Sequence, residues 1–430
     1  MTSHFSKYPL EKLVTHASVE PGYAFKSERF TENPTDIALV KGENVQQGFI
    51  DWSASKYWSI SEASALEKYR LKVGDVVLAM DRPWVTSGLK WAYIKPNDPE
   101  SLLVQRVSRL RGKKKLDQTY LRCLISSSYF SSYIQPIVTG VNVPHISGKQ
   151  IGDFRIPLPA VETQQKIAAI LSSYDDLIDN NRRRIALLEQ MAEEIYREWF
   201  VRLRFPGHEQ TKFEKGMPEG WRYVELGNIC SLIKRGIAPN YTDTAGAVII
   251  NQRCIRQGVV DMGEARRHET KIPREKLIQY GDVLINSTGV GTLGRVAVFD
   301  HEDSGVTCDT HVTICRADIN FVSLYYLGHT VRSLQTYFEN MAVGSTGQSE
   351  LGRDQIARAK ILLPSDEVQK RFADIVATMW QSKRLLVRKI KAFTETRDAL
   401  LPRLISGKLA VDDLDIRFPP GMAEASDHAI

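Results

Sequence analysis

The side chains best suited to chemistry lie in polar, glycine-rich loops that occur in pairs along the chain. The segment from Asn286 to Arg295 combines glycines with asparagine, threonine and arginine. Glycine lets a backbone approach a phosphate closely, while asparagine and arginine form paired hydrogen bonds with adenine and guanine edges. Such loops predict contact with DNA. The candidate DNA-binding residues are Asn44, Gln46, Gln47, Arg82, Trp84, Thr86, Ser87, Lys90, Lys113, Lys114, Lys115, Asn142, His145, Lys149, Asn251, Arg253, Arg256, Arg266, Arg267, Asn286, Thr288, Arg295, Thr346, Gln348 and Arg353.

One of these loops also matches a cofactor-binding pattern. Gly289-Val-Gly-Thr-Leu-Gly294 has the G-x-G-x-x-G spacing, but a dinucleotide or S-adenosylmethionine loop would have to open a helix. The β-branched, alternating run Arg295–Phe299 predicts a strand instead. We therefore expect a hairpin loop. The chain also lacks a phosphate loop, an H-E-x-x-H motif and clustered Cys/His ligands, so we expect no catalytic residue, no metal and no cofactor bound by this chain.

The chain repeats itself at a shift of about 205 residues. Ile151-Gly-Asp-Phe-Arg-Ile-Pro-Leu-Pro159 corresponds to Ile356-Ala-Arg-Ala-Lys-Ile-Leu-Leu-Pro364, and Val73-Gly-Asp-Val-Val-Leu78 corresponds to Tyr280-Gly-Asp-Val-Leu-Ile285. The polar loops recur in both halves. Two similar halves suit a target made of two similarly placed parts.

Composition is that of an ordinary globular protein. The chain has 430 residues, 43% of them hydrophobic, and a net charge of +6, which permits a polyanionic partner without requiring one. Five scattered cysteines argue against a disulfide framework and against a zinc site. Neither a signal peptide nor a membrane span is evident, so we expect a cytoplasmic protein.

Two segments carry the heptad spacing of long packed helices. We expect an α+β fold in which two similar strand-rich domains are separated by two long antiparallel, coiled-coil-like helices. The expected boundaries are 1–158 and 221–363 for the domains, 159–203 and 364–410 for the helices, 204–220 for a linker and 411–430 for a polar tail. Asn181, Lys383 and Arg397 interrupt the apolar seam and are either paired or exposed at a rim. The predicted packing residues are Leu171, Tyr174, Ile178, Ile185, Leu188, Ile195, Trp199, Val376, Met379, Leu386, Ile390, Phe393, Leu400 and Leu404.

The chain resembles the specificity subunit of Type I restriction–modification systems. The resemblance lies in Ile156-Pro-Leu-Pro-Ala-Val-Glu-Thr-Gln-Gln-Lys-Ile-Ala-Ala-Ile-Leu171, Asp175-Asp-Leu-Ile-Asp-Asn-Asn181, Arg197-Glu-Trp-Phe-Val-Arg-Leu-Arg-Phe-Pro-Gly-His208 and Leu400-Leu-Pro-Arg-Leu-Ile-Ser-Gly-Lys408. It extends from the first domain to Lys408. The second copy departs from the pattern at Ser365-Asp-Glu-Val-Gln-Lys370, which puts its partner contacts in doubt.

The resemblance implies a non-catalytic subunit with two target recognition domains, each reading one half of a split DNA site. The long helices would be spacers between them. Two methyltransferase (modification) subunits would dock on this chain, and motor-nuclease (restriction) subunits would join them. S-adenosylmethionine, ATP and Mg would then bind to those partners. Two other classes stay open: a coiled-coil scaffold, and a self-sufficient DNA methyltransferase or nuclease.

Overall fold

The computed structural model describes residues 6–85, 88–138, 144–243, 246–269, 271–341 and 350–419. The chain divides into two compact units. Unit 1 comprises Met1–Asn180 and Lys389–Ile430, and unit 2 comprises Asn181–Arg388. The strand-rich part of unit 1, residues 6–158, is called globule 1 below, and the strand-rich part of unit 2, residues 221–363, is called globule 2. Nowhere in the described ranges is there a helix both long and apolar enough to cross a bilayer.

The elements before residue 202 comprise strands β1–β11 and helices α1–α6. The strands are β1 Leu10–Lys12, β2 Ala17–Pro21, β3 Ile37–Val40, β4 Tyr57–Trp58, β5 Val76–Ala79, β6 Trp84–Val85, β7 Gly88–Leu89, β8 Trp91–Tyr93, β9 Ser101–Leu103, β10 Val107–Gly112 and β11 Arg155–Pro157. The helices are α1 Leu13–His16, α2 Ile60–Ala63, α3 Gln118–Ser126, α4 Ser128–Val138, α5 Gly148–Gly152 and α6 Val161–Tyr196, which a π-helical turn extends to Val201.

The remaining elements comprise strands β12–β25 and helices α7–α10. The strands are β12 Phe213–Glu214, β13 Met217–Pro218, β14 Arg222–Glu225, β15 Cys230–Arg235, β16 Tyr241–Thr242, β17 Ala247–Ile250, β18 Ile255–Arg256, β19 Val259–Val260, β20 Arg266–His268, β21 Val283–Asn286, β22 Val296–Val298, β23 Thr307–Cys308, β24 Val312–Ala317 and β25 Lys360–Leu363. The helices are α7 Leu324–Ser333, α8 Gln335–Met341, α9 Arg353–Ala357 and α10 Asp366–Ile405.

The main sheets of the two globules have the same topology, whereas the second sheet has three strands in globule 1 and four in globule 2. Globule 1 has an antiparallel sheet of order β2-β10-β5-β8, and globule 2 has the corresponding order β15-β24-β21-β22. A second sheet in each globule contains one parallel pair, β3 with β9 and β17 with β23. A short antiparallel pair, β1 with β11 and β14 with β25, comes directly before each long helix. The internal repeat is therefore a repeat of the fold, as the sequence predicts.

Apolar residues from helices and sheet form one main core in each unit. In unit 1, Leu78 and Leu110 of the sheet pack with Leu124 of α3 and with Leu171 of α6. In unit 2, Val283 and Ile285 of β21 pack with Tyr326 of α7 and Phe372 of α10. The long helices are thus part of the globular cores because their apolar faces are covered within each unit.

α6 and α10 run antiparallel within each unit. In unit 1, Thr163 binds Asp412, which lies just beyond the C-terminal end of α10, and Asp175 binds Arg397 within α10. Residues later in α6 therefore pair with residues that come earlier in the C-terminal segment. In unit 2, Glu189 pairs with Lys383, and the Trp199 and Phe372 rings lie 6.0 Å apart. All fourteen predicted packing residues are buried or half-buried.

The polar residues in the helix seam are paired or buried. Lys383 binds both Glu189 and Asp300, at 2.6 and 2.5 Å. Arg397 binds Asp175 at 2.8 Å, and Asn181 is only 5% exposed. The exposed-rim alternative is therefore wrong for these positions. Removing one partner of such a pair would leave a buried, unpaired charge, which destabilises the fold by more than the intact pair stabilises it.

Two local features differ from what residue spacing alone predicts. The apolar run Leu102–Val107 predicts one strand, but it is two, since β9 ends at Leu103 and Arg106 takes a left-handed φ of 69°. The three-to-four spacing of apolar residues over 120–133 predicts one helix, but the helix is broken at Ser127, whose backbone is extended. Its hydroxyl accepts a hydrogen bond from the Phe130 N–H at 3.2 Å and so begins the second helix.

Candidate nucleic-acid interface

Three of the predicted loops of unit 2 meet at the end of β21. The side-chain amide of Asn286 donates to the carbonyls of Gln252 and Thr292, both at 3.0 Å. The Ser287 carbonyl accepts a hydrogen bond from the Leu351 N–H at 2.9 Å. These bonds join the loops around residues 251–257, 287–295 and 350–353 into one surface, named the unit 2 loop cluster.

The unit 2 loop cluster carries several exposed cationic side chains. Arg253 and Arg353 are exposed, and the Arg295 guanidinium donates to the Gly291 carbonyl at 2.8 Å. Thr288 lies on the same surface, with its hydroxyl 2.5 Å from Nδ1 of His311. Arginine is suited both to phosphate oxygens and to guanine edges. The side chains of this surface are therefore chemically suited to phosphate oxygens and guanine edges.

The glycines of the 289–294 motif serve a hairpin. Gly289, Gly291 and Gly294 all have left-handed φ values, of 108°, 72° and 81°. A Cβ on Gly294 would lie 2.6 Å from the backbone nitrogen of Glu339, so no side chain fits there. The loop leads into β22, which pairs antiparallel with β21, and no helix opens at it. The predicted hairpin is confirmed, because a nucleotide loop needs a helix N-terminus.

Unit 1 builds the corresponding surface from equivalent bonds. The Met80 carbonyl accepts a hydrogen bond from the Ile146 N–H at 2.8 Å, the counterpart of the Ser287–Leu351 bond. The Arg82 N–H donates to the Pro144 carbonyl, and the Gly48 N–H donates to the Trp91 carbonyl. The loops around residues 44–48, 81–84, 88–91 and 144–146 thereby form the unit 1 loop cluster.

Different side chains are exposed on the unit 1 loop cluster. Arg82 is exposed at a left-handed φ of 43°, and Trp84 is 39% exposed. His145 Nδ1 lies 2.5 Å from a carboxylate oxygen of Asp81, whose other oxygen binds Arg106 at 2.7 Å. Gln47 is exposed beside this group, whereas Gln46 is half-buried and donates to the Glu43 carbonyl. The cluster offers hydrogen-bond donors and a flat aromatic ring.

Several predicted contact residues support the loops from inside. Asn44 and Asn251 are 1% and 8% exposed, and each binds backbone groups of its own loop. Asn286 is fully buried. Lys90 is 9% exposed, and its ammonium donates to the Gly42 carbonyl. Burial lowers the pKa of Lys90. Direct base contact does not suit these four side chains, because they are buried and their nitrogens already donate to backbone carbonyls.

Other predicted residues lie apart from the loop clusters. The exposed run 113–115 lies beside α1 and the first turn of α6: Lys113 donates to the Val14 carbonyl, and the Lys115 carbonyl accepts from Gln164. Arg266 of β20 lies 3.6 Å from the ring centre of Tyr241 on the edge strand β16, and Arg267 donates to the Gly246 carbonyl. Lys149, on α5, is exposed, and so is Arg256, which belongs to the unit 2 loop cluster. Thr86, Ser87, Asn142, Thr346 and Gln348 lie outside the described residues.

Sequence reasoning missed three residues of these surfaces. Arg235 contacts Glu350 and donates to the Leu351 carbonyl, and His311 binds Thr288. Arg106 binds Asp81. Arg235 and His311 lie at the ends of strands that pair in the sheet, which only the strand order reveals.

Nothing in the described ranges resembles a catalytic centre or a metal site. No group of three or more His, Cys, Asp or Glu side chains could hold a metal ion there. All five cysteines are free thiols. Burial raises the pKa of Cys254 to about 11 and that of Cys123 to about 12, so neither is a thiolate nucleophile at neutral pH.

Comparison with protein families identifies what this arrangement is. The family model described as "Type I restriction modification DNA specificity domain" matches twice, over residues 17–190 and 218–392. The chain belongs to this family. Its two matches coincide with the two halves of the repeat. The chain is a non-catalytic specificity subunit with two recognition domains.

Relatives and a solved structure agree with this assignment. The MjaIX specificity subunit of Methanocaldococcus jannaschii is 26% identical over 69% of this chain and 70% of its own length. The MjaVIII specificity subunit of the same organism is 31% identical over 43% of each chain. The HindI specificity subunit of Haemophilus influenzae is 21% identical over 89% of this chain and 96% of its own. A crystal structure of an S subunit from M. genitalium shares the fold, with a TM-score of 0.55, 14% identity and coverage of 94% and 98%.

Proposed function

We propose that this specificity subunit reads a bipartite DNA site, with the unit 1 loop cluster on one half-site and the unit 2 loop cluster on the other. One observation carries the proposal: the two clusters share a backbone frame and differ in exposed side chains. The Met80–Ile146 and Ser287–Leu351 bonds are equivalent. On that common frame, unit 1 exposes Trp84 and unit 2 exposes Arg253. A shared frame with unlike side chains suits two different half-sites.

We propose further that other polypeptides perform the chemistry. Two methyltransferase subunits would dock on this chain and carry S-adenosylmethionine. Motor-nuclease subunits would carry ATP and Mg. The complex would act in the cytoplasm, where it meets DNA.

The test is to map methylated bases after expressing the chain with its methyltransferase partner. The wild-type complex should methylate a two-part motif. Substituting Arg253→Gln should relax or change one part of the motif and leave the other part intact, because only one cluster is altered. Arg222→Gln, an exposed arginine on β14, serves as the matched control.

Four outcomes would contradict the proposal. A continuous methylated motif in the wild type would show that the DNA site is not bipartite. A change in both parts of the motif on Arg253→Gln would show that the two loop clusters do not each read one half-site. Methyl transfer by the purified chain alone would make it an enzyme. A coiled-coil scaffold would show no salt-dependent DNA binding at all.

A further inference from the structure

The contact between each globule and its long helix can be compared position by position. The Ile94 N–H donates to the Asp75 carbonyl at 3.0 Å, and the Phe299 N–H donates to the Asp282 carbonyl at 2.8 Å. These equivalent bonds fix the register of the two copies. The next residues, Lys95 and Asp300, therefore occupy the same place in globules 1 and 2.

This equivalent place carries opposite charges in the two globules. Lys95 of globule 1 forms an ion pair with Asp179 of α6. Asp300 of globule 2 forms an ion pair with Lys383 of α10 at 2.5 Å. The residue after Lys383, Arg384, stands at the position of Asp179 and contacts Glu302 at 3.5 Å. The helix segment is acidic where globule 1 docks and basic where globule 2 docks.

A second contact between globule and long helix differs between the two units in shape as well as in charge. In unit 1 this contact is polar. The Arg122 guanidinium lies 4.3 Å from the centre of the Tyr93 ring and 3.4 Å from the Asp175 carboxylate of α6. The Arg122 side chain is 13% exposed. This arrangement places a cation between an aromatic face and a carboxylate.

In unit 2 the same place holds a tryptophan against a glycine. The Tyr120 hydroxyl donates to the Pro157 carbonyl and the Tyr326 hydroxyl donates to the Leu362 carbonyl, so the helices α3 and α7 correspond. By this register Gly328 replaces Arg122 and Trp380 replaces Asp175. The Trp380 indole packs edge-on against Tyr325, with ring centres 5.1 Å apart. A Cβ on Gly328 would lie 3.1 Å from Val298 and 3.9 Å from Trp380.

We infer that each recognition globule is selective for its own helix segment through these two mismatched contacts. Globule 1 on the α10 segment would set Lys95 against Arg384, the counterpart of Asp179, and Arg122 against the Trp380 indole. Globule 2 on the α6 segment would set Glu302, the partner of Arg384, against Asp179 and leave Asp175 beside Gly328. Each exchanged pairing creates like-charge repulsion and an ill-fitting contact. The residues of this contact surface thus determine which helix segment each globule packs against.

The charge half of this inference is tested by single substitutions in the full chain. Lys95→Asp and Asp300→Lys each reproduce the charge that the other globule would present. Lys95→Asn and Asp300→Met are the matched neutral controls. We expect each charged variant to unfold about 2–5 °C below its neutral control, with a gap that narrows in salt. A charged variant that unfolds at the same temperature as its control, or higher, would overturn the inference.

The shape half is tested by transplanting the unit 1 contact into unit 2. Gly328→Arg alone and Trp380→Asp alone should each lower the unfolding temperature. The double variant Gly328→Arg/Trp380→Asp should unfold above both single variants, because arginine and aspartate then face each other as in unit 1. A double variant that unfolds at or below either single variant would show that the two positions do not recognise each other. Circular dichroism before heating establishes that each variant is folded.

Discussion

The side-chain carbonyl of Gln164 accepts a 2.9 Å hydrogen bond from the backbone N–H of Asp117. This bond joins the first turn of α6 to the residue that begins α3. The Gln164 amide also donates to the carbonyls of Pro159 and Lys115, both at 2.9 Å. Gln369 repeats the arrangement in unit 2, accepting from the Ser323 N–H at 3.0 Å and donating to the Pro364 carbonyl at 3.1 Å. A glutamine therefore connects each globule to its long helix.

We predict that Gln164→Ala lowers the free energy of unfolding by about 2–3 kcal/mol, because it leaves buried backbone groups without partners. Gln369→Ala removes fewer bonds and should cost about 1–2 kcal/mol. Urea unfolding measures both values. Gln165→Ala, at the half-exposed neighbouring position, is the control and should stay close to wild type. Equal stability of the Gln164 and Gln165 variants would contradict this role.

Glu193 gives unit 2 a pH-dependent contribution to stability. Nδ1 of the buried His329 lies 3.4 Å from the Glu193 carboxylate, and this hydrogen bond holds the pKa of Glu193 below its usual 4.5. A lowered folded-state pKa means stability that is present above about pH 4.5 and lost as the pH falls through the folded pKa. Between about pH 5 and about pH 3, the free energy of unfolding should therefore fall further for the wild type than for Glu193→Gln.

Urea unfolding at a series of pH values checks this prediction. The difference between wild type and Glu193→Gln should be constant above about pH 5 and shrink below it. Glu194→Gln, at the neighbouring and more exposed carboxylate, is the control. If the difference in the free energy of unfolding between wild type and Glu193→Gln does not change with pH, ionisation of the Glu193 carboxylate does not contribute to stability.

Exposed arginines of the unit 2 loop cluster should contribute to DNA affinity. Removing one phosphate contact lowers the magnitude of the slope of log affinity against log salt by about 0.9. We expect Arg353→Ala to show this change, measured by titrating a fluorescent duplex at several salt concentrations. Arg222→Ala on β14 is the control and should leave the slope unchanged. If both variants bind like wild type, Arg353 does not face the DNA.

Asn286 should support the loop cluster through its amide donors. Asn286→Asp puts a carboxylate against the Gln252 and Thr292 carbonyls, so we predict a loss of about 2–3 kcal/mol in the free energy of unfolding. Asn251→Ala breaks a single loop cap and should cost about 1 kcal/mol. Urea unfolding gives both values. An Asn286→Asp chain as stable as wild type would mean that these bonds add nothing to the fold.

Periodicity and repetition predicted the larger features of this protein. The heptad run from Leu171 to Trp199 predicted a long helix because buried positions recur every three to four residues on one helix face. The β-branched run after Gly294 predicted a strand, and the structure has β22 there. The break at Arg106 was not predictable, since it depends on a sheet neighbour, the Met80 N–H, which donates to its carbonyl. The break at Ser127 rests on a local hydrogen bond from the Phe130 N–H, which helical spacing alone does not reveal.

The sequence by itself determined the duplication, the α+β class, the two seam helices and the absence of recognisable catalytic motifs, because these follow from residue order and spacing. Only the tertiary structure decided which polar residues are available to a partner. Asn286 and Arg295 belong to one loop, yet the first is buried against backbone and the second reaches solvent. The structure likewise decides the partners of Lys95 and Asp300, which occupy equivalent positions and pair with side chains of opposite charge on α6 and α10. Burial and pairing depend on residues distant in the chain, and their positions are set when the whole unit folds.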